Sequence, residues 1–257
     1  MKEYILITGA SSGIGYEMAH QLAEKAHNLI LVARTESKLK QMQTALTKKY
    51  GVLIHYYVAD LSDPNVARDL HKKIKDENLL VTHLVNNAGV GNYGHFTETS
   101  LDEELDMIHL NISSLVVLTK LFAQDMVKRR SGRIMNIGSV VSFLPMPYFS
   151  VYSATKAFVL AFSDTLAAEL EGTGVTILSL YPGTVDTAFT TSEMQTTNLH
   201  KTKPMHPEIV AEYGVKHLLE GHGKKVIGLQ NWFNSKLPNF VPASIMMKIK
   251  KNLASQK

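Results

Sequence analysis

Seven short apolar runs rich in β-formers recur along the chain: Tyr4–Thr8, Asn28–Val32, Leu53–Val58, His83–Val85, Arg133–Ile137, Val175–Tyr181 and Lys224–Gly228. Their length and near-continuous hydrophobicity fit strands buried on both faces. Between them, apolar residues repeat at helical spacing over Ile14–Glu24, Ser37–Lys49, Asp63–Glu77, Leu101–Lys128 and Val151–Glu169. Asp63-Pro64 reads as an N-cap followed by proline at the first helical position, and Pro207 can open a later helix in the same way. The alternation predicts an α/β fold: a doubly wound parallel sheet of about seven strands with helices on both faces. No repeat, long linker or low-complexity tract divides it, so residues 1–257 read as a single domain. The least regular stretch, Thr187–Pro207, is rich in Thr, Ser, Asn and Lys. It fits either a substrate flap or a variable surface loop. Residues 235–257 read as a C-terminal extension.

Composition narrows the chemistry. With 45% hydrophobic and 19% charged residues, the chain has ample material for a core. It has no cysteine, which excludes disulfides, thiolate metal sites and a cysteine nucleophile. The first apolar run begins at Tyr4, leaving no room for a secretory leader, and the expected setting is cytoplasmic. The Asn111-Ile112-Ser113 sequon means little without secretion. No uninterrupted apolar run approaches the roughly 18 residues of a membrane span. The formal charge of +4 is spread over 27 basic and 23 acidic residues, which argues against nucleic acid as a partner. Positive charge concentrates only in Lys248, Lys250, Lys251 and Lys257. That ending reads as a docked terminal helix, with weak peripheral contact to an anionic membrane as the alternative. There is no G-x-S-x-G elbow for a serine hydrolase and no H-E-x-x-H set for zinc.

Thr8-Gly9-Ala10-Ser11-Ser12-Gly13-Ile14-Gly15 follows the first strand and opens a helix. Glycines there permit a tight turn, close approach of a pyrophosphate to backbone N–H groups, and close packing of helix on strand. The helix N-terminus adds partial positive charge. The Gly-x₃-Gly-x-Gly spacing departs from the usual dinucleotide fingerprint, and alone it also fits an ordinary turn. At the end of the second strand, where an acid would hold an NAD ribose, stand Ala33 and Arg34. An arginine pairs with a 2′-phosphate that a carboxylate would repel, favouring NADP(H) over NAD(H). A solvated surface arginine is the plainer alternative.

Tyr152 and Lys156, four apart in a helical segment, project from one face. A phenol ionises near pH 10, so proton transfer near neutrality needs its phenolate favoured by roughly two to three units. A nearby ammonium can supply part of that. Ser139, after the fifth strand, is placed to orient a substrate oxygen, and Asn111 is a poor helix former within a long helix. Singly, Ser139 also fits a turn cap and Asn111 a satisfied core amide.

In their joint order these residues resemble the short-chain dehydrogenase/reductase family over nearly the whole chain, the C-terminal stretch least. The resemblance implies a Rossmann fold and a catalytic tetrad of Asn111, Ser139, Tyr152 and Lys156. Tyr152 would transfer the proton, Lys156 would bind the nicotinamide ribose and lower the tyrosine pKa, Ser139 would hold the substrate oxygen, and Asn111 would place a relay water. It assigns cofactor contacts to Gly9, Ser11, Ser12, Gly13, Ile14 and Gly15 in the phosphate turn, and to Asp60 and Leu61 after the third strand. Asn87, Ala88 and Gly89 would follow the fourth strand, and Pro182, Gly183, Val185 and Thr187 would border nicotinamide. It also implies a homodimer or homotetramer packed through the long helices. Phe143–Phe149, with Phe189 and Met194, form a candidate apolar substrate wall or else pack on the scaffold. The expected activity is NADP(H)-dependent interconversion of a lipophilic ketone or aldehyde with its alcohol. The rival is a catalytically silent NADP-binding or sensing protein. No metal is expected.

Overall fold

The computed structural model describes residues 2–187 and 204–254. Among these, seven parallel strands form one sheet: β1 (Glu3–Thr8), β2 (Asn28–Ala33), β3 (Ile54–Val58), β4 (Leu80–Asn86), β5 (Gly132–Ile137), β6 (Val175–Tyr181) and β7 (Gly223–Val226). Their order is β3-β2-β1-β4-β5-β6-β7. The period-2 alternation of each strand builds two cores. Ile5, Ile7, Leu29 and Leu31 face one, covered by α1 (Gly13–Glu24), α2 (Glu36–Tyr50) and, after α3 to α6, α7 (Pro207–Glu220). Tyr4, Leu6, Ile30 and Val32 face the other, covered by α3 (Val66–Asp76), α5 (Ser114–Lys128) and α6 (Ser150–Glu169). The expected doubly wound sheet is therefore present.

Several boundaries differ from the sequence expectation, each for a local reason. Asp63-Pro64 does not open α3. Asp63 Oδ1 instead accepts the Asn65 N–H at 2.9 Å, closing a turn that delays the helix to Val66. β4 runs well beyond His83–Val85 because its polar residues find partners, Thr82 Oγ1 lying 3.0 Å from His83 Nδ1. β7 stops at Val226, since Gly228 at φ 88° turns the chain into α8 (Leu229–Lys236). The final helix, α9, spans Ala243–Ala254.

The Leu101–Lys128 segment is α4 (Leu101–Ile108), a π-helical turn at His109–Ser113, and α5. With a mean hydropathy of 1.4 over its most apolar part, it is long and apolar enough by length and composition to cross a membrane, although charged residues interrupt it. In the fold, Leu118, Phe122, Ala123 and Met126 seat it on the sheet.

Candidate active site

Strand order reverses between β1 and β4, and the crevice at the carboxyl ends of the strands is where such sheets bind ligands. Six of the predicted site segments follow a strand at that end: the glycine turn after β1, Arg34 after β2, Asp60 after β3, Asn87–Gly89 after β4, Ser139 after β5 and Pro182–Thr187 after β6; Asn111 comes from the π turn and Tyr152 and Lys156 from α6.

Side chains lock the glycine turn in place. Thr8 Oγ1 accepts the N–H groups of Asn87 and Ala88, each at 3.0 Å, while Asn87 Nδ2 donates to Thr8 O at 2.9 Å and Gly9 O at 3.3 Å. Gly9 adopts φ 65°, and a Cβ there would lie 2.9 Å from Ala88 Cα. At Gly15 a Cβ would meet Asn87 Nδ2 at 2.4 Å and Gly9 O at 2.6 Å, so only glycine lets α1 approach the turn. Gly13, at φ 56°, faces the Thr187 side chain. Ser12 is the extended N-cap of α1 and makes no side-chain cap bond. Ser11 and Ile14 flank this N-terminus half-buried. The opening N–H groups of α1 thus point from a tight glycine cradle, which suits a pyrophosphate.

At the far edge, Arg34 is exposed and lies near enough to Asp60 to act on it electrostatically. Burial alone would raise the Asp60 carboxyl, but hydrogen bonds from Ser62 and the Arg34 charge outweigh it and hold the carboxyl below its usual range. Leu61 is buried in the core, so any contact it makes in the crevice is through backbone. Pro182 is buried and its carbonyl accepts the Val140 N–H at 2.9 Å. Gly183 packs against the Asn231 side chain. Val185 bridges Met205, which closes the base of the expected 187–207 flap. Most of that flap, with Phe189 and Met194, lies outside the described residues, as does Lys257.

The tetrad residues converge. The Tyr152 hydroxyl is hydrogen-bonded to Ser139. Lys156 is buried, with Nζ 5.9 Å from the Tyr152 ring centroid and donating to Ile137 O at 3.0 Å. Asn111, also buried, lies in the π turn, an insertion frequent at functional sites. Its amide grips Val90 from both sides, accepting the N–H at 3.0 Å and donating to the carbonyl at 2.9 Å. The same Nδ2 donates to Thr155 Oγ1 at 3.1 Å, and Thr155 donates to Tyr152 O at 2.8 Å. A Cβ at Gly89 would lie 3.1 Å from Asn111 Oδ1 and 3.5 Å from Lys156 Nζ, so this glycine sits between the two. Ser139 bonds the Tyr152 hydroxyl and also caps the short 3-10 turn Val140–Ser142, the cap being one of the two roles read from sequence.

Burial sets the protonation of the Tyr152–Lys156 pair before any cofactor is considered. Burial pushes Tyr152 up to about 12, only partly countered by the Ser139 hydrogen bond, and burial also lowers Lys156 to about 8.

The apolar wall is tied to the scaffold at several points. Phe143 packs edge-on against Tyr181 at 4.9 Å, Leu144 and Phe149 are buried, and Met146 N–H donates to Ser153 Oγ at 3.0 Å. Sequence reasoning missed Tyr93, whose ring lies 5.0 Å from Phe149, itself 6.4 Å from Tyr152. Lys250, read from sequence as part of the basic C-terminal cluster, is instead buried and donates to Pro145 O at 2.9 Å. A cavity of 460 Å³ lined by Gln43, Lys48 and His55 lies at the opposite ends of the strands and has none of this chemistry. Among the described residues, no cluster of His, Asp or Glu is suited to a metal.

The sequence profile of the short chain dehydrogenases matches residues 3–198. The chain belongs to the short-chain dehydrogenase family. Among its relatives, the very-long-chain 3-oxoacyl-CoA reductase of Pyrenophora tritici-repentis is 38% identical over 189 residues, 72% of this chain and 55% of that protein. The human 17-beta-hydroxysteroid dehydrogenase type 3 is 36% identical over 193 residues, 74% of this chain and 61% of that protein. The chain thus spans little more than half the length of these curated relatives. A solved short-chain dehydrogenase from Sphingobium yanoikuyae in complex with NADPH superposes with TM-score 0.81 at 27% identity, covering 95% of this chain and 97% of that one.

Proposed function

We propose that this short-chain dehydrogenase is an NADP(H)-dependent oxidoreductase that interconverts a carbonyl group and a secondary alcohol on a lipophilic substrate. The observation that carries the reading is the convergence of Ser139, Tyr152, Lys156 and Asn111 beside a glycine cradle that fits a pyrophosphate. When bound, the nicotinamide dinucleotide supplies or takes up the hydride. Gly9, Gly13, Gly15 and the first N–H groups of α1 would hold its phosphates, and Arg34 its 2′-phosphate. Lys156 would reach its ribose.

The protein moves the proton. Ser139 Oγ donates to the substrate oxygen and holds it against Tyr152, whose hydroxyl transfers the proton as the C–O bond order changes. A phenol held near 12 is fully protonated at neutral pH, the form that reduction requires. Asn111 and Thr155 fix the loop at Val90 and the backbone of Tyr152, so the proton path starts from a rigid frame. The aromatic series from Tyr93 through Phe149 to Tyr152 suits a broad apolar substrate, in keeping with the 3-oxoacyl and steroid chemistry named for the relatives. Exposed Leu101 and Leu105 on α4 suit the homo-oligomer expected for the family.

The deciding experiment compares wild type with Tyr152→Phe on a panel of lipophilic ketones and aldehydes. Turnover should fall at least a thousandfold, while NADPH affinity changes less than about twofold. Turnover surviving in the variant would remove Tyr152 from the chemistry. NADPH binding with no wild-type turnover on any carbonyl would favour the sensing protein instead.

A further inference from the structure

The C-terminal segment breaks the charge balance of the rest of the chain. Residues 221–257 contain seven lysines and no aspartate or glutamate. The same segment breaks the burial pattern. α8 turns its apolar strip outward: Leu229, Trp232, Phe233 and Lys236 follow the i, i+3, i+4, i+7 spacing of one helix face, and the first three are 81%, 46% and 63% exposed. Phe240, just beyond, is 82% exposed. In a helix docked only on its own domain the apolar strip would face inward, yet here the inward residues are Asn231 and buried Ser235.

α9 presents a second mixed face. Lys250 and Ala254, four apart, hold it down, Lys250 Nζ donating to Pro145 O and Ala254 O accepting the Tyr93 hydroxyl at 2.7 Å. That anchorage leaves Ile245 and Ile249 exposed along one strip, with Lys248 and Lys251 on the strip beside it. Lys236 Nζ lies 5.9 Å from the Trp232 ring centroid, so a cation rides directly beside the most amphipathic aromatic of the strip.

We propose that residues 229–251 form a docking surface for an anionic lipid bilayer, with Trp232, Phe233 and Phe240 entering the headgroup boundary and Lys236, Lys248 and Lys251 pairing with lipid phosphates. Exposed aromatics at the water–lipid boundary combined with an all-cationic charge set are the chemistry of an interfacial helix. The bilayer needs only cations and apolar wedges. The surface stands on geometry outside the tetrad and does not depend on the proposed reaction.

Trp232 is the sole tryptophan of the chain, so its emission reports on this surface directly. The full chain is titrated with vesicles of phosphatidylcholine alone and with vesicles carrying about a third phosphatidylglycerol, alongside co-sedimentation. Anionic vesicles should shift Trp232 emission to the blue and sediment the protein, and neutral vesicles should do so at least tenfold more weakly. Phe233→Ser with Phe240→Ser should lower partitioning about tenfold or more. Lys236→Gln with Lys248→Gln and Lys251→Gln should erase the preference for anionic lipid while circular dichroism and NADPH affinity stay unchanged. Unaltered emission and no sedimentation with anionic vesicles would overturn the proposal. So would a blue shift that follows protein concentration instead of lipid, since a second copy of the chain would then be the occupant.

Discussion

The closeness of Gly15 to Asn87 makes the cofactor turn open to a double-mutant test. A Cβ at position 15 would stand 2.4 Å from Asn87 Nδ2 and 2.6 Å from Gly9 O. Gly15→Ala gains at most ~1 kcal/mol of helix propensity. Against this, overpacking costs about 1–3 kcal/mol. Displacing the Asn87 amide also forfeits its bonds to Thr8 O and Gly9 O, worth about 1 kcal/mol each. The net expectation for Gly15→Ala is a loss of about 2–4 kcal/mol. Asn87→Ala should lose a similar amount, because it leaves the same two carbonyls without their donor. In the double variant the clash with the amide is gone and only the contact with Gly9 O persists. The second substitution should then add about 1 kcal/mol or less, giving a favourable coupling of roughly 1 kcal/mol. Urea unfolding followed by circular dichroism supplies the three free-energy differences, provided the slopes agree. NADPH affinity, measured by cofactor fluorescence, should fall in all three variants. Costs that add to within about 0.5 kcal/mol would refute the claim that Gly15 is glycine to make room for the Asn87 side chain.

Two further outcomes follow from charges at the rim and in the interior. Arg34→Ala should weaken NADPH binding about tenfold or more while changing NADH binding less than about twofold, as expected for loss of a 2′-phosphate partner; equal losses for both cofactors would contradict that role. Stability should also rise with alkalinity. Burial lowers both Lys156 and Lys250 from 10.5 to about 8, so between those values the unfolded chain holds protons that the folded chain has released. The unfolding free energy should therefore grow between pH 8 and pH 10, by about 2 kcal/mol for Lys156 and by less for Lys250, whose partly solvated charge is screened. Above about pH 10 the sign reverses, because Tyr152 stays protonated in the fold to about 12 while the unfolded phenol ionises. Urea melts across this range, with Lys156→Met and Lys250→Met as controls, should show the rise in wild type and a smaller one in each variant. A flat profile would mean that these ammonium groups are not desolvated.

Much of the fold was legible because strand and helix periodicities seldom conflict in this chain. All seven strands overlap the runs read from sequence, six of them apolar and the edge strand β7 polar, and β6 matches Val175–Tyr181 end to end. Misplaced ends came where a side chain competes with the backbone pattern. Asp63 bonding Asn65 and Gly228 with positive φ are two such cases, neither visible in hydropathy. The π turn at His109–Ser113 was illegible for a different reason. It changes which carbonyl each N–H meets while leaving the run of residue types helical. The one available signal was Asn111 itself, an amide with no cause to sit in an apolar helix unless it bonds elsewhere. The elsewhere is Val90 and Thr155.

The residues that converge beside the glycine turn can be picked out in the sequence, but the burial that shifts their protonation cannot. Spacing puts Tyr152 and Lys156 on one face, but it does not say where the ammonium points. In the fold Lys156 is drawn to Ile137 O, and both groups lie where water does not reach well, so each shifts toward its neutral form: the phenol up and the amine down. A sequence argument that counts only the attraction between an ammonium and a phenolate misses that burial opposes both charges before they can attract. The contacts that complete the wall were hidden by distance along the chain. Tyr93 reaches Ala254 across 161 positions and Lys250 reaches Pro145 across 105. These two bonds fasten the C-terminal helix to the loops after β4 and β5, the second of which carries the candidate apolar wall. The segment least covered by the family resemblance is thereby tied to the loops beside Tyr152, and the outward lysines of its last helix are held in place by the same bonds. Variation in that segment can change which molecules reach Tyr152 without altering any residue of the tetrad.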